Sequence, residues 1–354
     1  MKRLSLAEAA LAAALVALVI AATACGSSNE PSVDAPPGSL ETPVDRWSFV
    51  AINGTTCANG STAGFGLDRS GHDDGELFVY FAGGGACWDT ATCTAQPPVA
   101  VNLDVTYTQQ KLDFDVAQLT IERQPGTLLQ NTNFVFVPYC TADLHAGTTV
   151  TAYPGGPTIH HTGGDNTQAF VQALHDKFPD ATQIWLAGSS AGGYGATFNM
   201  HRFSDAWPAA HVDLYQDSSP FIPMVSSYDT LQAAWHLAFP PGCTGCETSL
   251  TSVFDAVVAA HPDSRIALDT WDNDQIIAAY FGYGATPIHD VQLDLIRNHF
   301  NKAHTRVFVA PGTQHTMLGQ LDSLAVNNML LSLWVAQWFG GDPDWRSVGY
   351  SPTP

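Results

Sequence analysis

Gly188-Ser189-Ser190-Ala191-Gly192 fits G-x-S-x-G, the pattern of a serine nucleophile held on a sharp turn between a strand and a helix. An apolar run at 183–187 leads into the motif, and Ala191-Gly192-Gly193-Tyr194-Gly195-Ala196 opens a helix-forming stretch behind it. Such a turn leaves room only for small neighbours, which the glycines supply. The helix that starts there presents its positive end to the negative charge that develops in acyl transfer. Ser190 is therefore the expected nucleophile.

A serine hydroxyl needs a base, and a histidine held by a carboxylate is the usual one. Among thirteen histidines, His315 stands out. It follows an apolar run at 306–310 and a short loop, which would set it at the carboxyl edge of a sheet, where sites in open α/β sheets lie. For the carboxylate, Asp272 occupies the loop after the run at 265–268, with Asp269 and Asp274 as rivals nearby and Asp217, after 212–215, as another. Asp272 or Asp274 could instead cap a helix at Gln275, so spacing leaves the choice open. Gly83-Gly84-Gly85-Ala86-Cys87 follows an apolar run at 77–82. Backbone N–H groups of Gly84 and Gly85, with that of Ala191, would then form an oxyanion hole.

These residues need a scaffold, and the chain alternates short apolar runs with amphipathic stretches. Strands are expected at 77–82, 134–138, 183–187, 212–215, 265–268 and 306–310, and helices at 167–178, 192–203, 228–239, 250–261, 274–281 and 327–339. Continuous apolar strands separated by helices imply an α/β fold with a mainly parallel central sheet and helices on both faces. Residues 44–354 show no internal repeat and read as one domain. Ahead of them, 26–43 is rich in Ser, Pro, Gly and acid, a solvated linker. Residues 1–25 read as an export signal, with Met1-Lys2-Arg3 basic and 11–24 apolar but shorter than a bilayer span. Its end, Ala22-Thr23-Ala24-Cys25-Gly26, resembles a bacterial lipobox in which Cys25 takes a lipid. A lipid-anchored envelope protein follows, touching the membrane only through that anchor.

Cysteine arithmetic agrees: seven is odd, and without Cys25 six remain for three bridges in an oxidising compartment. Proximity pairs Cys87 with Cys93 and Cys243 with Cys246, leaving Cys57 with Cys140. Cys243-Thr-Gly-Cys246 has no second CxxC or histidine pattern to complete a zinc site. The adjacent His160 and His161 cannot both face one ion from a strand, so a surface or supporting role is expected of them and no metal or other cofactor. A net charge of -20 argues against nucleic acid and anionic membrane surfaces as partners.

With these residues assembled, the chain resembles the pectin acetylesterase and Notum family of α/β-hydrolases. The resemblance rests on Phe81-Ala-Gly-Gly-Gly-Ala-Cys87 with Cys93, Pro138-Tyr-Cys140-Thr-Ala-Asp143, Gly188-Ser-Ser190-Ala-Gly-Gly193, Asp272-Asn-Asp-Gln275 and His315-Thr-Met-Leu318. It implies Ser190 as nucleophile, His315 as base and, through D-x-x-Q, Asp272 as acid, with Gly84, Gly85 and Ala191 donating to the oxyanion. It also implies hydrolysis of acyl esters, acetyl esters of a polysaccharide first among them; a monomer is expected. Ala86 departs from the family, which carries a bulky aromatic there, so a more open wall beside the acyl pocket is expected. The acidic charge favours an alternative, a carboxylesterase or depolymerase on uncharged lipid or polyester, because it repels polygalacturonate within a Debye length of ~8 Å.

Overall fold

The computed structural model describes residues 40–350 apart from 73–74, 97, 124–126 and 285. Cys25, the expected export signal and most of the expected linker lie outside the described residues.

The apolar runs become strands of one eight-stranded sheet. In chain order its members are β1 (Ser48–Thr56), β2 (Thr62–Asp68), β3 (Glu76–Phe81), β4 (Asn133–Val137), β7 (Gln183–Ser189), β8 (His211–Asp217), β9 (Ile266–Trp271) and β10 (Thr305–Ala310). A separate ribbon pairs β5 (Thr149–Ala152) with β6 (Thr158–His161). The spatial order is β1-β2-β4-β3-β7-β8-β9-β10. From β4 to β10 every neighbouring pair is parallel, while β2 runs antiparallel to both β1 and β4. This is the α/β-hydrolase arrangement that the sequence predicts.

Helices connect the strands: α1 (Thr90–Cys93), α2 (Gln109–Val116), α3 (Gly163–Lys177), α4 (Ala191–Ala206), α5 (Tyr228–Trp235), α6 (Leu250–Ala260), α7 (Gln275–Tyr280), α8 (His289–His299) and α9 (Leu331–Gly340). Side chains alternate across each strand, so the core divides in two. Leu77, Val79, Phe81, Ile184 and Leu186 pack with Phe170 and Leu174 of α3 and Phe198 and Phe203 of α4. Phe78, Trp185, Tyr215 and Phe308 pack on the other face with Trp334, Trp338 and Phe339 of α9. Trp334 and Trp338 are fully buried. Emptying one such site costs about 3–5 kcal/mol, which makes α9 the element that closes this face.

Two differences from the expected elements have plain causes. β1 is not legible as a strand because, at the sheet edge, it exposes much of itself and carries Asn53-Gly54, and β2 because Gly64 and Gly66 interrupt its apolar run. The helix expected at 327–339 begins at Leu331, since Asn327 and Asn328 both take positive φ and turn the chain instead. Disulfides join Cys57 to Cys140, Cys87 to Cys93 and Cys243 to Cys246, the same pairs that spacing and elimination select.

Candidate active site

β7 delivers the chain to Ser190, which has φ 55° and ψ -126°. A positive φ is uncommon for a residue with a side chain and costs of order 1–3 kcal/mol, so its surroundings must hold it there. They do: the Ser190 N–H donates to the carbonyl of Asp217 at 2.8 Å, and the Ser219 hydroxyl donates to the carbonyl of Ser190 at 2.8 Å. Close packing explains the glycine behind the turn. A Cβ on Gly192 would overlap the Phe81 carbonyl on the neighbouring strand. Ser190 stands at the N-cap of α4 without spending its hydroxyl on a cap bond, which leaves the oxygen available for attack.

His315 lies in the loop after β10, at the same edge. Its Nδ1 is 2.7 Å from Oδ2 of Asp274, a carboxylate wholly shielded from solvent, while the imidazole is 18% exposed. The carboxylate bonded to His315 is Asp274 and not Asp272, which departs from the expectation drawn from D-x-x-Q. Asp272 faces elsewhere: its Oδ1 accepts from Gly312 N–H at 2.8 Å and its Oδ2 sits 3.2 Å from His289 Nδ1. It ties the loop after β9 to the loop after β10. Asp274 caps α7 with its other oxygen, Oδ1, which accepts from Ile276 and Ile277 N–H at 2.9 and 3.0 Å. Capping of α7 and the bond to His315 are thus combined in one side chain, with one oxygen for each.

On the near side of Ser190 the Gly83-Gly84-Gly85 loop crosses the end of β3. Gly84 and Gly85 have φ of 150° and 75°. A Cβ at Gly85 would overlap the carbonyl of Val99 and the Tyr280 hydroxyl, so this approach is open to glycine alone. Behind the loop, buried His145 bonds the carbonyl of Ala82 through Nε2 at 2.9 Å. Burial lowers its pKa to about 4, which leaves a neutral ring supporting the loop. Gly83 packs against Ser190, Gly85 lines the same cavity as Ser190, and Ala191 opens α4, where backbone N–H groups lack partners within the helix.

Ser190, Gly85 and Ala191 open onto an apolar cavity of about 40 Å³. Ala86 is part of its wall, and Trp88, Trp235, Tyr280 and Phe281 close its other sides. The Trp235 indole N–H is fixed by the carbonyl of Cys87 at 2.8 Å. A larger surface hollow of about 890 Å³ near Leu129, Leu318 and Phe339 touches none of Ser190, His315 or Asp274, so volume alone does not mark the chemistry.

His160 and His161 point to opposite sides of β6. His161 is buried and bonds the Tyr153 hydroxyl at 2.8 Å and the Thr141 carbonyl at 2.9 Å. It therefore sits inside the protein, not at the surface. Its ring approaches the sulfurs of Cys87 and Cys93, which are bonded to each other and offer no thiolate.

A pectinacetylesterase family model matches residues 46–239. Pectin acetylesterase 5 of Arabidopsis thaliana is 26% identical over 194 residues, 53% of this chain and 45% of that protein. Palmitoleoyl-protein carboxylesterase NOTUM of Homo sapiens is 26% identical over 183 residues, 50% of this chain and 36% of that protein. The chain thus spans less than half the length of these curated relatives. Among solved structures, the Wnt deacylase Notum from Drosophila superposes with a TM-score of 0.63 at 18% identity, covering 86% of this chain and 95% of that one, which shows a shared fold.

Proposed function

Because the chain belongs to the pectinacetylesterase family, we propose that it is a serine carboxylic ester hydrolase that removes short acyl groups, acetyl above all, from a polysaccharide. Ser190 attacks the ester carbonyl, and His315 Nε2 takes its proton. Asp274 holds the Nδ1 tautomer and stabilises the imidazolium. The N–H groups of Ala191 and of Gly84 or Gly85 receive the oxyanion. His315 then protonates the leaving alcohol, and water, activated by the same imidazole, releases the acid. No cofactor enters this cycle, and one chain suffices for it.

The observation that carries this reading is the cavity of about 40 Å³ beside Ser190. Trp88, Trp235, Tyr280 and Phe281 close this small apolar space around Ser190, which suits a short acyl group. An acetyl group fits. Release of acetate from acetylated pectin, xylan and chitin-type polymers, measured beside 4-nitrophenyl esters of rising chain length, tests the reading. It stands if acetyl is the preferred acyl group and a polymer yields acetate, and it fails if long-chain esters are preferred.

The net charge of -20 favours a second reading, a carboxylesterase or depolymerase on uncharged lipid or polyester, since a strongly acidic surface repels a polyanionic polymer. Hydrolysis of neutral polyesters with no release from any acetylated polymer selects it.

Export and lipid attachment at Cys25 belong to the same reading. The three disulfides support it, because such bonds persist in oxidising compartments. Cys25→Ser should free the protein from the membrane fraction while ester hydrolysis continues at the same kcat. Loss from the membrane fraction with wild-type Cys25 present would refute the anchor.

A further inference from the structure

Ser189, Asp217 and Asp269 stand side by side at the carboxyl edge of the sheet. Ser189 on β7 is in register with Asp217 on β8, and Asp217 is in register with Asp269 on β9. Neighbouring strands lie about 4.8 Å apart, so two carboxyl groups occupy adjacent, fully buried positions. The surroundings are apolar on the α9 side, where Tyr215 packs edge-on to Trp334 and Trp338. No positive side chain pairs with either carboxyl among the described residues.

Asp217 is heavily used. Its Oδ2 accepts from the Ser189 hydroxyl at 2.5 Å, and the Tyr80 hydroxyl in turn donates to Ser189 at 2.8 Å. Its Oδ1 accepts from Met317 N–H at 2.6 Å, two residues beyond His315. Its carbonyl accepts from Ser190 N–H. One residue therefore bonds the loop of the nucleophile and the loop of the base. Asp269 Oδ2 accepts from the Tyr215 hydroxyl at 2.7 Å, and its Oδ1 has no partner if the group is ionised.

We propose that the two carboxyls share one proton, held on Asp269 and donated to Asp217, and that the single charge left on Asp217 latches the Ser190 loop to the His315 loop. Resting on the esterase reading above, this makes Asp217 and Asp269 positioning residues that touch no substrate.

The shared proton satisfies the orphan Oδ1 of Asp269 and avoids two adjacent buried charges, which the interior would not support. Burial, then the neighbouring Asp217 charge, pushes the Asp269 carboxyl well above the usual carboxylate range; burial raises Asp217 as well, against its bonds from Ser189 and Met317 and the nearby His315. The titratable groups facing the pair are Tyr80, Tyr215 and His315. Both tyrosines are raised by burial and stay neutral, so they donate and do not accept.

At high pH the shared proton leaves, the two carboxylates repel, and the elbow and histidine loops lose their common anchor. Ester hydrolysis should therefore fall on the alkaline side. Asp269→Asn keeps a donor for Asp217 but cannot ionise, so its alkaline fall should vanish while the acid limb stays where it was. Asp217→Asn should lower kcat on the order of 10²-fold with little change in KM, the size expected when reacting groups shift by about 1 Å. A spectroscopic test needs no turnover. Infrared difference spectra of the wild type against Asp269→Asn, taken at a pH above the titration of Asp143, which burial raises to about 6, should show one protonated carboxyl. A wild type without that band, or an alkaline limb that Asp269→Asn leaves unmoved, would overturn the proposal. Should Asp269→Asn fail to fold, the wild-type carboxyl band alone decides. A chain with no esterase activity that still shows the band refutes the function and leaves the shared proton standing.

Discussion

His315 is bonded to Asp274, at 2.7 Å from Nδ1 to Oδ2, and not to Asp272, two residues earlier on the same turn. The distinction is chemical. Asp274 is fully buried and fixed by two helix N–H groups, whereas Asp272 is partly exposed beside His289. Only the first can hold an imidazole in one orientation with its charge shielded from water.

Asp274→Asn should consequently lower kcat by roughly 10²–10⁴-fold, because an amide no longer stabilises the imidazolium and favours the wrong tautomer. Asp272→Asn should stay within a few-fold of wild type. Steady-state rates on 4-nitrophenyl acetate check both, and the reverse ranking would return the acid role to Asp272.

Ser190→Ala should abolish hydrolysis, with a fall on the order of 10⁴-fold or more, and leave the thermal unfolding midpoint close to wild type. Ser189→Ala should be far milder but not silent, since its hydroxyl bonds Asp217. Equal losses in the two variants would mean that Ser190 is not the nucleophile.

The walls of the acyl cavity set chain length. Trp88→Ala should raise the ratio of kcat/KM for butyryl over acetyl esters by about tenfold or more, since one methylene in a closed pocket is worth roughly 10–200-fold in discrimination. Trp88 is the better position because Trp235 is fully buried and hydrogen-bonded, and its loss would also unfold the chain. An unchanged ratio places the acyl group elsewhere.

His161 makes stability depend on pH. Burial lowers its pKa to about 4, against ~6.5 in the unfolded chain. Between those values the unfolded state binds a proton that the folded state refuses. The contribution of His161 is therefore complete above ~6.5 and drains away as pH falls towards 4. The stability advantage of wild type over His161→Gln should shrink by about 1.4 kcal/mol per pH unit across that window. Urea unfolding at several pH values measures it, and a difference independent of pH would mean that His161 is protonated in the folded protein.

Much of this protein was legible without coordinates. The strand, G-x-S-x-G and helix at 183–206 are local, and local sterics dictate where a serine can take a positive φ between glycines. The continuous apolar runs at 77–82, 134–138 and 306–310 could only be buried strands, and the close spacing of Cys87 with Cys93 made that pair a local matter. By contrast, β1 escaped detection because it is an edge strand that exposes much of itself, and β2 because Gly64 and Gly66 break its buried run. α2 and α8 did so because few of their residues face the core: Leu112 in the first, and Gln292, Leu295 and Ile296 in the second.

The choice between Asp272 and Asp274 could not be read from the chain, since both follow β9 and both could cap α7. It was decided when Gly312, forty positions away in sequence, donated its N–H to Asp272 and left Asp274 to turn inward under His315. The pairing of Asp217 with Asp269 likewise depends on β8 and β9 lying side by side in one register. Sequence fixes which residues end a strand. Which of them meet is a property of strand order and register, and those are settled by the burial of the whole sheet.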